Sequence, residues 1–124
     1  MHQSLMLING QDVPMLSASG KTATIYNPAN QEPVALVAVA GRDEARQALQ
    51  AANNALPVWA GTSSSKRADI LHQSARLVRE RSDAIARLLT LEQGKPLKNA
   101  KMEVLSSADV LDYYAEEGKR NFGE

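Results

Sequence analysis

The spacing of apolar residues changes once along this chain, at Gly41, and that change limits the possible folds more than any other feature. Before Gly41 the apolar residues alternate or run together in short stretches bounded by Gly, Pro and Asn. After it they recur three and four positions apart. A period of two belongs to strands and a period near 3.6 to helices. The expected fold class is therefore α+β, read as one segment over 1–124: antiparallel strands and hairpins over 1–40, then three or four amphipathic helices over 41–124.

The strand half carries its own punctuation. LMLI, Asn9-Gly10 and QDV form a hairpin signal, because a type I′ turn needs positive φ at both central residues and Asn-Gly supplies it. SASGK (17–21) reads as a second turn. TATIY runs into NPANQEP, where Pro28 and Pro33 withhold ladder donors, so a loop is expected there. PVALVAVA follows with apolar residues on both faces: Val34, Leu36 and Ala38 on one, Ala35, Val37 and Val39 on the other. A strand of that pattern is expected to be covered on both sides.

In the helical half, Asp43 and Glu44 stand where a first turn favours acids. Ala45, Ala48, Leu49, Ala52 and Leu56 follow at helical spacing, and Pro57 is expected to end that helix. TSSS (62–65) offers N-cap hydroxyls for the next. Ile70, Leu71, Ala75, Val78, Ile85, Leu88 and Leu89 mark a long stripe, interrupted near Arg81-Ser82-Asp83. Past Pro96, the positions Leu97, Val104, Ala108, Leu111 and Ala115 form a seam of the a/d type.

Composition removes several function classes. The 14 basic and 14 acidic residues cancel, so no net charge draws the chain to nucleic acid. The basic residues cluster over 66–87 and the acidic ones from Met102 onward, which reads as two oppositely biased solvated helix faces. With one Trp, three Tyr and one Phe, few aromatic platforms exist for stacking bases. There is no cysteine, hence no disulfide, thiolate metal site or cysteine nucleophile. No apolar run approaches the roughly 18 residues of a membrane span. The opening MHQSLMLINGQ lacks the basic start and apolar core of a signal peptide, so a cytoplasmic location is expected.

The stretch TLEQGKPL (90–97) poses the sharpest chemical question, since Gly-Lys beside a helix start suggests a phosphate cradle. The P-loop pattern is absent, however, and Pro96 withholds a backbone N–H where a phosphate would want one. The stretch reads instead as a joint: Gly94 left-handed at the end of one helix, Pro96 in the first turn of the next. No G-x-G occurs, so no dinucleotide fingerprint is present. His2 and His72 are the only histidines, and His72 reads as a surface or part-buried helix residue rather than a metal ligand. Ser63, Ser64 and Ser65 have no nucleophile elbow around them. Asp43/Glu44 cap a helix, and Glu116/Glu117 precede the offsetting Lys119 and Arg120. Glu92 stands in a last helical turn, where the dipole disfavours a carboxylate. A positive partner is expected, either Lys95 or a bound monovalent cation.

NPANQEPVALVAVA, NNALPVWAGTSSSKRADIL and above all LLTLEQGKPLKNAKMEV with YYAEEGKRNFGE resemble the N-terminal portion of NAD(P)-dependent aldehyde dehydrogenases, most of all the succinate-semialdehyde type. The likeness runs from Leu5 to Glu124 and covers about the first quarter of a family member. It implies a part of the α/β aldehyde dehydrogenase fold, in the cofactor-binding domain, and an oligomeric enzyme using NAD or NADP on a small aldehyde. The family's nucleophilic Cys, general-base Glu and oxyanion Asn lie further along than this sequence reaches. No catalytic or cofactor-binding residue is therefore assigned, and the 124 residues alone are expected to be inactive and to bind no cofactor. The resemblance further implies a monovalent cation held by backbone carbonyls at Ile25 or Tyr26 and by Glu92. It also places Met102 and Ser106 at the mouth of the substrate tunnel. Succinate-semialdehyde members commonly have a small residue near Met102 and an aromatic near Ser106, so these departures leave the aldehyde open. A second reading is a non-catalytic module that associates through exposed apolar faces. Neither a nucleic acid nor a membrane is expected as partner.

Overall fold

A computed structural model of the chain describes residues 2–13 and 20–120. It divides into two compact units, Met1–Gly61 and Thr62–Glu124.

The first unit holds the strands and one helix. β2 (Met6–Ile8) and β3 (Gln11–Val13) pair antiparallel with Ile8 opposite Gln11. Asn9 (φ 55°) and Gly10 (φ 72°) turn between them, as the Asn-Gly signal requires. β4 (Thr22–Tyr26) and β5 (Pro33–Ala38) form the second antiparallel pair. β1 (His2–Ser4) adds a parallel pairing on the other edge of β5, giving the order β1-β5-β4. The parallel strand belongs to that three-stranded sheet alone, β2 and β3 forming a separate one, and the partner of its His2 lies 33 positions away at Ala35. Of the turn expected at 17–21, residues 17–19 lie outside the described residues, and Gly20 has a φ of 60°.

The loop between β4 and β5 satisfies its own backbone. Asn27 N–H donates to the Glu32 carbonyl and Gln31 N–H to the Asn27 carbonyl, at 2.9 and 2.8 Å. Pro33 opens β5, a position where its missing N–H costs nothing to the ladder. Ala35 and Ala38 are buried and Val34, Leu36 and Val37 half-buried, so both faces of β5 are covered along the strand itself, while Val39 just beyond is exposed.

α1 (Arg42–Gly61) corrects one expectation: Pro57 lies inside the helix instead of ending it. Its ring fixes φ near the helical value, and only the bond to the Asn53 carbonyl is forfeited. Asn53 and Pro57 are both exposed, so water can reach the carbonyl that lost its donor. The start of α1 is closed by Glu44, which is 2% exposed and whose Oε2 accepts from Gly41 N–H at 2.7 Å. That is the reciprocal half of a capping box. The apolar stripe of α1 is uncovered: Ala45, Ala48, Leu49, Ala52 and Leu56 are all exposed, Leu49 by 73%.

The second unit is a three-helix arrangement. Ser63 caps α2 (Ser64–Glu80), its hydroxyl accepting from Lys66 N–H at 3.4 Å. Arg81 (φ −98°, ψ 7°) separates α2 from α3 (Ser82–Gln93), at the interruption read from Arg81-Ser82-Asp83. α4 (Leu97–Glu117) packs against both. The core is built from small side chains. Ala75, Ala86, Ala100 and Ala108 are fully buried, Ala68 and Ala115 almost so, and Val104 is the largest side chain among the buried apolar residues. Ile70, Ile85 and Leu97, expected on the stripes, are exposed. Alanine at the contacts lets helix axes approach closely, and larger residues then take the flanks.

Candidate functional site

The joint at Gly94 forms as its sequence predicts. Gly94 closes α3 at φ 72°, ψ 9°, and its N–H donates to the Thr90 carbonyl at 2.8 Å. Pro96 is one position earlier than expected. At φ −54°, ψ 134° it is the N-cap of α4, its carbonyl accepting from Asn99 and Ala100 N–H, both at 2.9 Å. The extended ψ excludes it from the helix proper, while its carbonyl still receives the first helical bonds.

Lys95 does not answer the charge on Glu92. Its ammonium pairs with Glu103 on α4. Half-buried Glu92 stays in the last turn of α3, and among the described residues no side-chain cation is placed on it. Ile25 and Tyr26 lie on β4 in the first unit and Glu92 on α3 in the second. Met102 and Ser106 stand four residues apart on one exposed face of α4, which Val110 and Tyr113 continue. Tyr113 stacks edge-on against Tyr114 with centroids 5.3 Å apart.

The densest polar cluster joins α2 to α4, and its centre is His72. Ring Nδ1 stands 2.6 Å from Asp112 Oδ1, and Nε2 stands 2.8 Å from Glu116 Oε1. Arg79 donates to Asp109 at 2.7 Å and is paired with Asp112 at 2.6 Å, and Lys119 donates to Glu116 at 2.8 Å. The basic bias of 66–87 and the acidic bias past Met102 thus meet as partners across two helices. Hydrogen bonds accepted by Asp112 first and Glu116 second hold the His72 imidazole above its ordinary value of 6.5. Asp112 is held below the usual carboxylate range, by His72 first and Arg79 next. Glu116 is lowered too, mainly by Lys119 and then by His72. The sequence alone hid this cluster because the partners of His72 lie 40 and 44 residues away. The one local signal was the spacing of Asp112 and Glu116, which puts two carboxylates on one helix face.

The remaining features are poorer in chemistry. A groove of about 500 Å³ beside the hairpin and α1 is lined mainly by amides, with Asn9, Gln11, Gln47, Gln50 and Asn54 around a single carboxylate, Asp12. Among the described residues no three His, Cys, Asp or Glu side chains gather around one point where a metal ion could sit. No helix among them is long and apolar enough to cross a membrane. Among the described residues no Gly-rich turn precedes a helix, and the starts of α1 and α2 are closed by Glu44 and Ser63.

Comparison with known proteins decides the family. Residues 15–124 match the aldehyde dehydrogenase family. The chain belongs to that family. It is 43% identical over 118 residues to the NADP(+)-dependent succinate-semialdehyde dehydrogenase GabD of Escherichia coli K12, covering 95% of this chain and 24% of that protein. It is 41% identical over 106 residues to the glutarate-semialdehyde dehydrogenase of Pseudomonas aeruginosa, covering 86% and 22%. Among solved structures, the NADP-dependent glyceraldehyde-3-phosphate dehydrogenase of Bacillus halodurans, complexed with NADP, is similar with a TM-score of 0.95 at 31% identity. That likeness covers 100% of this chain and 26% of the other. The succinate-semialdehyde dehydrogenase of Burkholderia pseudomallei gives a TM-score of 0.92 at 36% identity, covering 98% and 25%. The chain therefore spans about a quarter of the length of the relatives it matches, and its strands and helices are those of the aldehyde dehydrogenase fold.

Proposed function

We propose that these residues are the opening quarter of an NAD(P)-dependent aldehyde dehydrogenase that oxidises a short semialdehyde, of the succinate-semialdehyde kind, to the carboxylic acid. The observation that carries this reading is the 43% identity to a succinate-semialdehyde dehydrogenase, sustained over 95% of the chain. Within such an enzyme the segment is scaffold. Its strands and helices pack around the cofactor-binding domain, and the exposed stripe of α1 (Leu49, Leu56) is a face for the rest of the protein to cover. The roles lent by family likeness belong to the same proposal: Met102 and Ser106 at the mouth of the substrate tunnel, and Ile25 or Tyr26 with Glu92 as ligands of a monovalent cation. Support for Glu92 comes from its carboxylate at a negative helix end, with Lys95 drawn away to Glu103. The whole enzyme is placed in the cytoplasm as an oligomer.

The family's nucleophile is a cysteine thiolate, and this chain contains no cysteine. The purified 124-residue chain is therefore inactive on its own. Incubated with succinate semialdehyde and either NAD+ or NADP+, it is expected to form no reduced cofactor above the protein-free rate. Turnover that follows the concentration of this chain would sink the proposal. A second reading, a non-catalytic module that associates through apolar surface, draws on the same exposed residues of α1 together with Met102, Val110 and Tyr113 of α4. Sedimentation separates the two: a soluble oligomer of defined size favours the module, and ill-defined aggregation favours a scaffold whose covering segments are missing.

A further inference from the structure

We propose that His72 is a proton-operated clasp between α2 and α4: protonated on both ring nitrogens it ties Asp112 and Glu116 to α2, and loss of one proton releases one of the two ties. The argument rests on geometry. An ionised carboxylate only accepts hydrogen bonds, and both ring nitrogens stand within 2.8 Å of a carboxylate oxygen. Both must therefore donate, which only the imidazolium can do. A neutral ring would turn a lone pair toward one of the two carboxylates, whichever tautomer it adopted.

The surroundings favour the charged form and lock its orientation. From α4, Asp112 and Glu116 face the ring directly, with Asp109 and, just past the helix end, Lys119 behind them. On α2 itself, Arg79 braces Asp112 from the other side at 2.6 Å, while Asp69 and Arg76 lie within one turn of His72. α3 also packs against α2, but its charged residues Asp83, Arg87 and Glu92 form no ion pair with His72 among the described residues. Asp112 is thus shared between a permanent cation and a titratable one. Above the ring's transition Arg79 still holds Asp112 to α2, whichever carboxylate the neutral ring continues to serve.

The pH dependence has a definite sign. The folded imidazole titrates above 6.5 and the unfolded one near it. The stabilisation by His72 is therefore complete below 6.5 and drains away as pH rises through the folded value. The carboxylates act in the opposite direction. Both are lowered in the fold, so their share is present above the ordinary carboxylate range and is lost as pH falls through their folded values. The clasp is tightest between those two limits, in mildly acidic solution. It is independent of which aldehyde the whole enzyme takes.

The test is an NMR titration of the imidazoles in the complete 124-residue chain, with His72→Gln assigning the signals, since only His2 then remains. His72 is expected to titrate above 6.5, and both Asp112→Asn and Glu116→Gln are expected to bring it down. Urea midpoints give the second readout. The parent midpoint should fall as pH is raised from about 6 to about 9, and His72→Gln should lose that fall. Titration of His72 at or below 6.5 in the chain without denaturant overturns the clasp. So does a value left unmoved by both carboxylate substitutions, or an undiminished pH dependence in His72→Gln.

Discussion

Ala100→Leu should destabilise the three-helix unit by about 1–3 kcal/mol, the usual cost of forcing extra methylenes into a packed core. Ala100 is fully buried against Ala86 and Val104, with Val78 and Leu89 filled in around them. Ala100 has no exposed surface through which three more carbons could turn to solvent, so the added bulk must push α4 away from its neighbours. Urea denaturation followed by helical circular dichroism reads the loss. Lys98→Ala, on the exposed surface two residues earlier, is the control and should stay within about 0.5 kcal/mol of the parent. An Ala100→Leu chain as stable as the control would mean that the alanine contacts are not what sets the distance between these helices.

Gly94→Val is the second large effect, and it acts through the backbone. At φ 72° a side chain meets the following carbonyl, a clash that costs an L-residue roughly 1–2 kcal/mol. Branching at Cβ makes valine a poor choice for that conformation. The αL turn lets Gly94 N–H reach the Thr90 carbonyl and sends the chain through Pro96 into α4, so the substitution should loosen both helix ends. Gly94→Asn should lose less, because asparagine enters the left-handed region more readily than other L-residues. Equal losses for valine and asparagine in urea denaturation would show that the strain lies elsewhere.

Local chemistry was legible in the sequence. Asn9-Gly10 turned the hairpin, Ser63 capped α2, Arg81-Ser82-Asp83 broke the long stripe, and Gly94 with Pro96 joined α3 to α4. Each of these depends on φ preferences or hydrogen bonds within a few residues, so the sequence window contains the cause. What escaped was decided at longer range. The core of the helical unit is alanine, and a periodicity reading that weights large apolar residues passes over Ala68, Ala86 and Ala100. The parallel partner of β1 and the carboxylates that hold His72 lie 33 to 44 positions away, beyond any local pattern. Pro57 misled for a different reason. Proline is costly in a helix mainly through one lost hydrogen bond and one steric contact, and near an exposed helix end that cost is tolerable.

The candidate site follows the same division. The family was readable from the run around Gly94 because that run is local and specific. The single most direct test of the functional account is a graft. Residues 5–124 would replace the corresponding opening quarter of the Escherichia coli succinate-semialdehyde dehydrogenase, which supplies the remainder. The account predicts that the chimera folds and forms NADPH from succinate semialdehyde and NADP+. A chimera that assembles like its parent yet yields no NADPH would contradict it.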